Sequence, residues 1–178
     1  SQAFGPEAFI RRIRITYLRT FGAVASPFNA YLSLIGLETL PERVSRQVAT
    51  TATIAEHLLR TPHVAQVNYS GIDTTGQSAL RNKYYPNGVG TILSFLLDGN
   101  EHQLKKVLNG TSIFGYIPNI GDSRSLIVDP ARITHREVPE RYRLAAGVSD
   151  NLIRLSIGLE DPADLIADLD NAIRNAFQ

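Results

Sequence analysis

Apolar and polar positions follow two periods along this chain, and the change from one to the other predicts the architecture. Phe9, Ile10, Ile13, Tyr17, Leu18 and Phe21 recur every three or four residues, the spacing of one helical face. Gly5-Pro6-Glu7 supplies a start with proline in the first turn, and Gly22 a stop. Ser26-Pro27 restarts a helix carrying Phe28, Tyr31, Leu32 and Ile35, with a stop near Gly36. Pro41-Glu42 opens a longer helix, striped by Val44, Val48, Ala52, Ala55, Leu58 and Leu59 and closed by Thr61-Pro62. From Val64 the period falls to two. Val64–Tyr69, Val89–Leu97, Ser112–Tyr116, Ser125–Val128 and Leu152–Ile157 read as strands. Helices are expected over Ala79–Tyr85, Glu101–Leu108, Pro139–Ala146 and Pro162–Phe177.

Three leading helices, then strands interleaved with helices, then a closing helix predict an α/β chain in two layers, a small sheet covered by helices on one side. The leading helices occupy 1–60 and the α/β part 61–178. Strand order cannot be read from this pattern. The length of 178 residues, with 43% hydrophobic and 20% charged, suits one globular unit. It excludes collagen, coiled coil and a disordered tail.

Charge and composition remove several functions. The net charge of +1 supplies no field toward nucleic acid. Arg11, Arg12, Arg14 and Arg19 cluster on one helix, read as a solvated face or a subunit contact before a phosphate site. The longest uncharged run, Thr20–Leu37, is broken by Pro27 and carries polar Ser26, Asn29 and Ser33. It reads as a buried helix of a cytoplasmic protein, not as a membrane span. The residues before Arg11 lack the basic start and apolar run of a signal peptide. With no Cys there is no disulfide, thiolate metal site or cysteine nucleophile. Ser1 stands where a start Met is expected and Met is absent throughout, so either the start was processed away or the chain is a piece of something longer.

Few catalytic motifs survive inspection. His57, His63, His102 and His135 have no metal-ligand spacing. Gly88-Val-Gly90 lacks the third glycine and the following helix of a dinucleotide loop. No phosphate loop or nucleophile elbow is present. One residue breaks its local pattern. In Asn151–Gly158 the residues Ile153, Leu155 and Ile157 share one face of a strand, while Leu152, Arg154 and Ser156 share the other. An arginine in such a segment needs a partner, because a buried unpaired charge is costly. Its planar fork fits a carboxylate bidentately. On pattern alone the favoured partner is internal, Glu160 or Asp161; a ligand carboxylate is the alternative.

At this point the chain resembles the Cys/Met-metabolism family of pyridoxal-phosphate (PLP) enzymes. The resemblance rests on Ile153-Arg-Leu-Ser-Ile-Gly-Leu-Glu-Asp161, on Ser26-Pro-Phe-Asn-Ala-Tyr-Leu and Gly36-Leu-Glu-Thr-Leu-Pro-Glu-Arg43, and on Asn119-Ile-Gly-Asp-Ser-Arg-Ser-Leu126 with Asp129-Pro-Ala131 and Thr134-His135. Asn-Ile-Gly-Asp before Ser-Leu is most similar to the O-acetylhomoserine sulfhydrylases, with cystathionine γ-synthases and methionine γ-lyases as alternatives. Two stretches depart from that pattern: Tyr116-Ile-Pro118 stands where His-Leu-Ala is usual, and Asp129 where a His is usual.

The resemblance implies the small C-terminal domain of the aspartate-aminotransferase-like (fold type I PLP) architecture, preceded by interdomain helices. It implies replacement of the acetoxy group of O-acetylhomoserine by sulfide, in a homo-oligomer, commonly a tetramer, with no nucleic acid or membrane partner. It turns the reading of Arg154 toward the substrate α-carboxylate, with Asn119, Ile120 and Thr134 beside it. It also implies a Schiff-base lysine in a separate PLP domain. Lys83, Lys105 and Lys106 lack that context and read as solvated, so no catalytic or cofactor-binding residue, no bound PLP and no metal are expected in this chain, which alone would be inactive. The reading from a different class is a non-catalytic α/β interaction module docking through Arg11–Arg19.

Overall fold

Four short strands form one antiparallel sheet: β1 (Val64–Asn68), β2 (Ile92–Leu97), β3 (Leu126–Val128) and β4 (Leu152–Ser156), in the order β1-β2-β4-β3. The structure, a computed structural model, describes residues 6–73 and 76–178. Its contacts divide the chain into two units, one ending at Pro41 and one from Glu42 to Gln178.

In the first unit, α1 (Glu7–Arg12) runs into a π-helical stretch, Ile13–Leu18, and then into α2 (Arg19–Phe21). Gly22 ends it in the left-handed conformation, φ +68°, which glycine adopts without a Cβ penalty. Its N–H donates to the Leu18 carbonyl at 2.9 Å. The next helix, α3 (Pro27–Glu38), starts on the Ser26 cap, whose hydroxyl accepts from the Asn29 N–H at 3.2 Å. It passes through Gly36, where a stop is expected, and ends two residues later. Neither these helices nor the π stretch has a buried residue. The expected buried helix over Thr20–Leu37 is therefore corrected: Phe28, Tyr31, Leu32 and Ile35 stay exposed within this chain. An apolar stripe is buried only against another element, and this unit's helical arms are too few to enclose their own. Among the described residues no helix is long and apolar enough to cross a membrane.

The second unit holds the sheet and its helices. Helix α4 (Leu40–Leu58) buries Gln47, Thr50, Thr51, Ile54, Ala55 and Leu58. The expected stripe is rotated at both ends: Val44 and Leu59 are exposed, and polar Gln47 and Thr51 are buried. Both are satisfied, since Gln47 Nε2 donates to the Asp122 carbonyl and Thr51 Oγ1 to the Gln47 carbonyl, each at 2.7 Å. The remaining helices are α5 (Ser78–Tyr84), α6 (Glu101–Gly110), α7 (Glu140–Ala145) and α8 (Pro162–Ala176). Asn100 and Gln103 form a reciprocal capping box on α6. Asp161 caps α8, accepting from the Ala163 N–H at 2.8 Å.

One face of the sheet carries the main core. Leu93, Phe95 and Leu97 of β2 and Ile153, Leu155 and Ile157 on and after β4 pack with Ile54 and Leu58 of α4, Leu104 and Val107 of α6, and Leu165, Leu169 and Ile173 of α8. A small second cluster, Ala131, Val148 and Leu152, occupies part of the other face. The two-layer expectation holds. The fifth expected strand, Ser112–Tyr116, does not form; it contributes one isolated bridge, Gly115 with Leu126. The cause is a competing acceptor. The buried Asp168 carboxylate of α8 takes the N–H groups of Ser112, Ile113 and Phe114 at 2.8, 2.9 and 3.3 Å, so they cannot donate to a ladder.

Candidate functional site

Register decides what surrounds Arg154. Ser94 of β2 and Val128 of β3 lie directly opposite it, and Asn68 of β1 lies opposite Ser94. Residues opposite one another share a face, so Asn68, Ser94 and Arg154 form a polar row across three strands on the face away from the core. They open onto a concavity of about 220 Å³, walled by Pro130, Thr134 and His135.

Arg154 has no partner of its own among the described residues. Its Nε is buried without an acceptor, and burial pushes the guanidinium below its ordinary value. The internal pair favoured on pattern alone is not formed. Glu160 is engaged by Ser125, accepting from its N–H at 2.8 Å and its hydroxyl at 2.7 Å; Asp161 caps α8. Two residues along the strand on the same face, Ser156 Oγ is also buried and unpartnered. Among the described residues these two are the only such side-chain atoms. Buried polar atoms are ordinarily hydrogen-bonded, so these two on adjacent same-face positions of one strand single this face out as a candidate site.

The other expected site residues divide. Thr134 joins Arg154 in the concavity; its hydroxyl lies 2.8 Å from His135 Nδ1 and 3.4 Å from the Pro130 carbonyl. Asn119 and Ile120 do not line it. They sit exposed on the loop before β3, where Asn119 Oδ1 accepts from the Ile120 N–H at 2.9 Å and Asn119 Nδ2 donates to Asp122 at 3.3 Å. The Asp122 carboxyl, hydrogen-bonded by Arg124, is held down at about 2. Asn68, Ser94 and His135 are additions to the expected set. Asn68 and Ser94 show in the sequence only as polar residues on strands, which carry no address until the strands are paired; His135 stands in the Thr134-His135 stretch of the family resemblance.

Beside this concavity Tyr116 and Asp129 touch. Tyr116 Oη donates to Asp129 Oδ1 at 2.6 Å, and Arg132 Nη1 lies 3.3 Å from Asp129 Oδ2. Asp129 is 1% exposed. Burial, then the hydrogen bond to this carboxylate, pushes the Tyr116 hydroxyl up to about 12.

The three lysines lie elsewhere. Lys83 sits over the Tyr84 ring, 5.2 Å from its centre; Lys105 pairs with Glu101 at 2.9 Å; all three are exposed. No group of His, Asp or Glu among the described residues could hold a metal ion.

Comparison with known proteins gives this geometry its relatives. The O-acetyl-L-homoserine sulfhydrylase of Leptospira meyeri is 38% identical over 169 residues, covering 94% of this chain and 38% of that protein. A Campylobacter jejuni structure described as an O-acetylhomoserine (thiol)-lyase, carrying N'-pyridoxyl-lysine-5'-monophosphate, matches with TM-score 0.86 and 38% identity, over 96% of this chain and 41% of its own. The cystathionine γ-synthase of Xanthomonas oryzae pv. oryzae, in complex with cystathionine, matches with TM-score 0.84 and 34% identity, over 96% of this chain and 44% of its own. The chain thus spans about two fifths of the length of the curated relatives it matches. The family profile for Cys/Met metabolism PLP-dependent enzymes matches residues 7–174. On this fold, this motif order and that match, the chain belongs to the Cys/Met metabolism family of PLP-dependent enzymes.

Proposed function

We propose that this chain forms the substrate-carboxylate side of an O-acetylhomoserine sulfhydrylase. In that reaction the bond from the substrate's γ-carbon to the acetoxy oxygen breaks and a carbon–sulfur bond to sulfide forms, yielding homocysteine and acetate. The observation that carries the reading is the unpartnered Arg154 Nε beside the unpartnered Ser156 Oγ, both buried on the second face of β4. The guanidinium fork grips a planar carboxylate and fixes its orientation, which a lysine ammonium does not. Thr134 and His135 wall the same concavity, and the Asn119–Ile120 loop lines the approach to it in this reading.

PLP is the family's cofactor, an electron sink held on a lysine. The lysines of this chain do not fit that role: each is exposed and none lies in the concavity. The residues that hold the cofactor belong, in this proposal, to a separate PLP domain of the same polypeptide, and this chain's part is to bind and orient. The complete enzyme is proposed to be a cytoplasmic homo-oligomer, a tetramer by family resemblance.

The test supplies the complete PLP-loaded enzyme with O-acetylhomoserine and sulfide, with O-acetylhomoserine and cysteine, and with methionine alone. Homocysteine formed fastest from sulfide is expected. Cystathionine as the main product would make it a cystathionine γ-synthase, and thiol release from methionine a γ-lyase. Arg154→Ala should lower kcat/KM about 10- to 150-fold, from charged hydrogen bonds of about 1.5–3 kcal/mol.

A further inference from the structure

Residues Asp129–His135 follow β3 directly, and Val128, the last residue of β3, is registered opposite Arg154. This segment is wound on its own carbonyls. The Asp129 carbonyl accepts the N–H groups of Arg132 and Ile133, both at 3.2 Å, and the Pro130 carbonyl accepts that of His135 at 2.8 Å. One side of it, through Pro130, Thr134 and His135, is the wall of the Arg154 concavity. The other is anchored by the buried Asp129 carboxylate, which Tyr116 and Arg132 hold. Arg132 in turn donates to the Asp150 carbonyl at 3.0 Å.

Tyr116 begins the loop that bears Asn119 and Ile120. The backbone before it is pinned to β3: the Gly115 N–H donates to the Ser125 carbonyl, and the Gly115 carbonyl accepts from Ile127, each at 3.0 Å. The Tyr116–Asp129 bond therefore ties the base of that loop to the wall of the concavity.

We propose that Tyr116 and Asp129 are a coupled pair of positioning residues, a brace that sets the wall facing Arg154 and thereby the affinity for the substrate's α-carboxylate. The proposal rests on the reading of Arg154 as the carboxylate clamp. The Tyr116 hydroxyl stays protonated, and so stays a donor, across the neutral range.

The test is a double-mutant cycle in the complete PLP-loaded enzyme, with Tyr116→Phe, Asp129→Ala and the pair, beside Arg154→Lys as the control for the clamp. Tyr116→Phe keeps the half-exposed ring and removes only the donor. It should raise KM for O-acetylhomoserine about five- to tenfold, about 1–1.4 kcal/mol, with kcat changed less than about twofold and KM for sulfide unchanged. Calorimetric Kd for L-homoserine should rise by the same factor. The double variant should be no worse than Asp129→Ala alone, since that change already removes the contact with Tyr116. Additive effects, an unchanged homoserine Kd in Tyr116→Phe, or kcat and Tm falling together with KM intact would overturn the brace. If Asp129→Ala fails to fold, Tyr116→Phe read against Arg154→Lys still decides. An Arg154→Lys enzyme with unchanged KM would instead remove the clamp, and the brace with it; a raised KM there with no effect of Tyr116→Phe removes the brace alone.

Discussion

Arg154→Met separates stability from binding at one position. The native Nε–H is buried with no acceptor, and an unmatched buried donor costs about 1–3 kcal/mol. Methionine keeps most of the stem's volume and flexibility, discarding the donor and the charge. After some loss of packing around the shortened head, the unliganded chain should gain about 1–2 kcal/mol. For a chain of this size each kcal/mol moves the midpoint by about 2–4 °C, so circular-dichroism melts of the 178-residue chain should rise by about 2–8 °C. The same change should lower kcat/KM for O-acetylhomoserine in the complete enzyme about 10- to 150-fold, because the carboxylate loses charged hydrogen bonds of about 1.5–3 kcal/mol. Opposite signs on the two readouts are the mark of a group kept for a ligand at the expense of the fold. A midpoint lowered by more than about 2 °C would mean that Arg154 holds the fold through a protein acceptor, the ordinary cost of breaking a buried pair. A raised midpoint with unchanged kcat/KM would leave the cation without the proposed role.

Three further outcomes follow from the same unit. Asp168→Ala should cost about 2–3 kcal/mol in urea unfolding, because it strips the acceptor from the N–H groups of Ser112, Ile113 and Phe114; Asp168→Asn, with one acceptor oxygen left, should cost less. Gly158→Ala should cost about 1–3 kcal/mol on the same assay, since its Cβ would lie 2.5 Å from the Ser123 carbonyl oxygen and the Arg124 carbonyl carbon, backbone atoms that cannot swing aside. The Asp122 carboxyl should titrate at about 2 by NMR and rise toward the ordinary range in Arg124→Ala. Its folded value lies below its unfolded one, so its contribution is full above about pH 4 and is lost as pH falls through about 2.

The periodic elements were legible because they depend on neighbours close in sequence. The alternation over Leu152–Ile157 separates Ile153 and Leu155 from Arg154, and the sheet keeps that division. Where the sequence misleads, a distant partner intervenes. Ser112–Tyr116 has strand composition, yet Asp168, 54 to 56 residues away, takes its donors. Polar Gln47 is buried on α4 because the Asp122 carbonyl, 75 residues on, accepts its amide. The row Asn68–Ser94–Arg154 exists only once β4 is inserted between β2 and β3, an order that periodicity does not encode. Family resemblance implies a role for Arg154 but names none of those neighbours on β1 and β2.

The acidic residues just after β4 show why the site must be argued from accounting of partners. Glu160 and Asp161 stand close behind Arg154 in sequence and look like its counter-charges. Each is instead required where it is. Asp161 supplies the cap that starts α8, and that helix carries Leu165, Leu169 and Ile173 into the core. Glu160 holds Ser125, whose hydroxyl also accepts the Gly158 N–H at 2.8 Å, and so fixes the turn by which the chain leaves the sheet. Moving either carboxylate to Arg154 would unpin a helix start or a strand exit. On the strand itself, side chains two residues apart share a face, which puts Ser156 and not an acid beside Arg154. The cation's lack of a partner is thus built by the same few residues that fold the end of the sheet, and a substitution that offered it an internal carboxylate would stabilise the chain by closing the site.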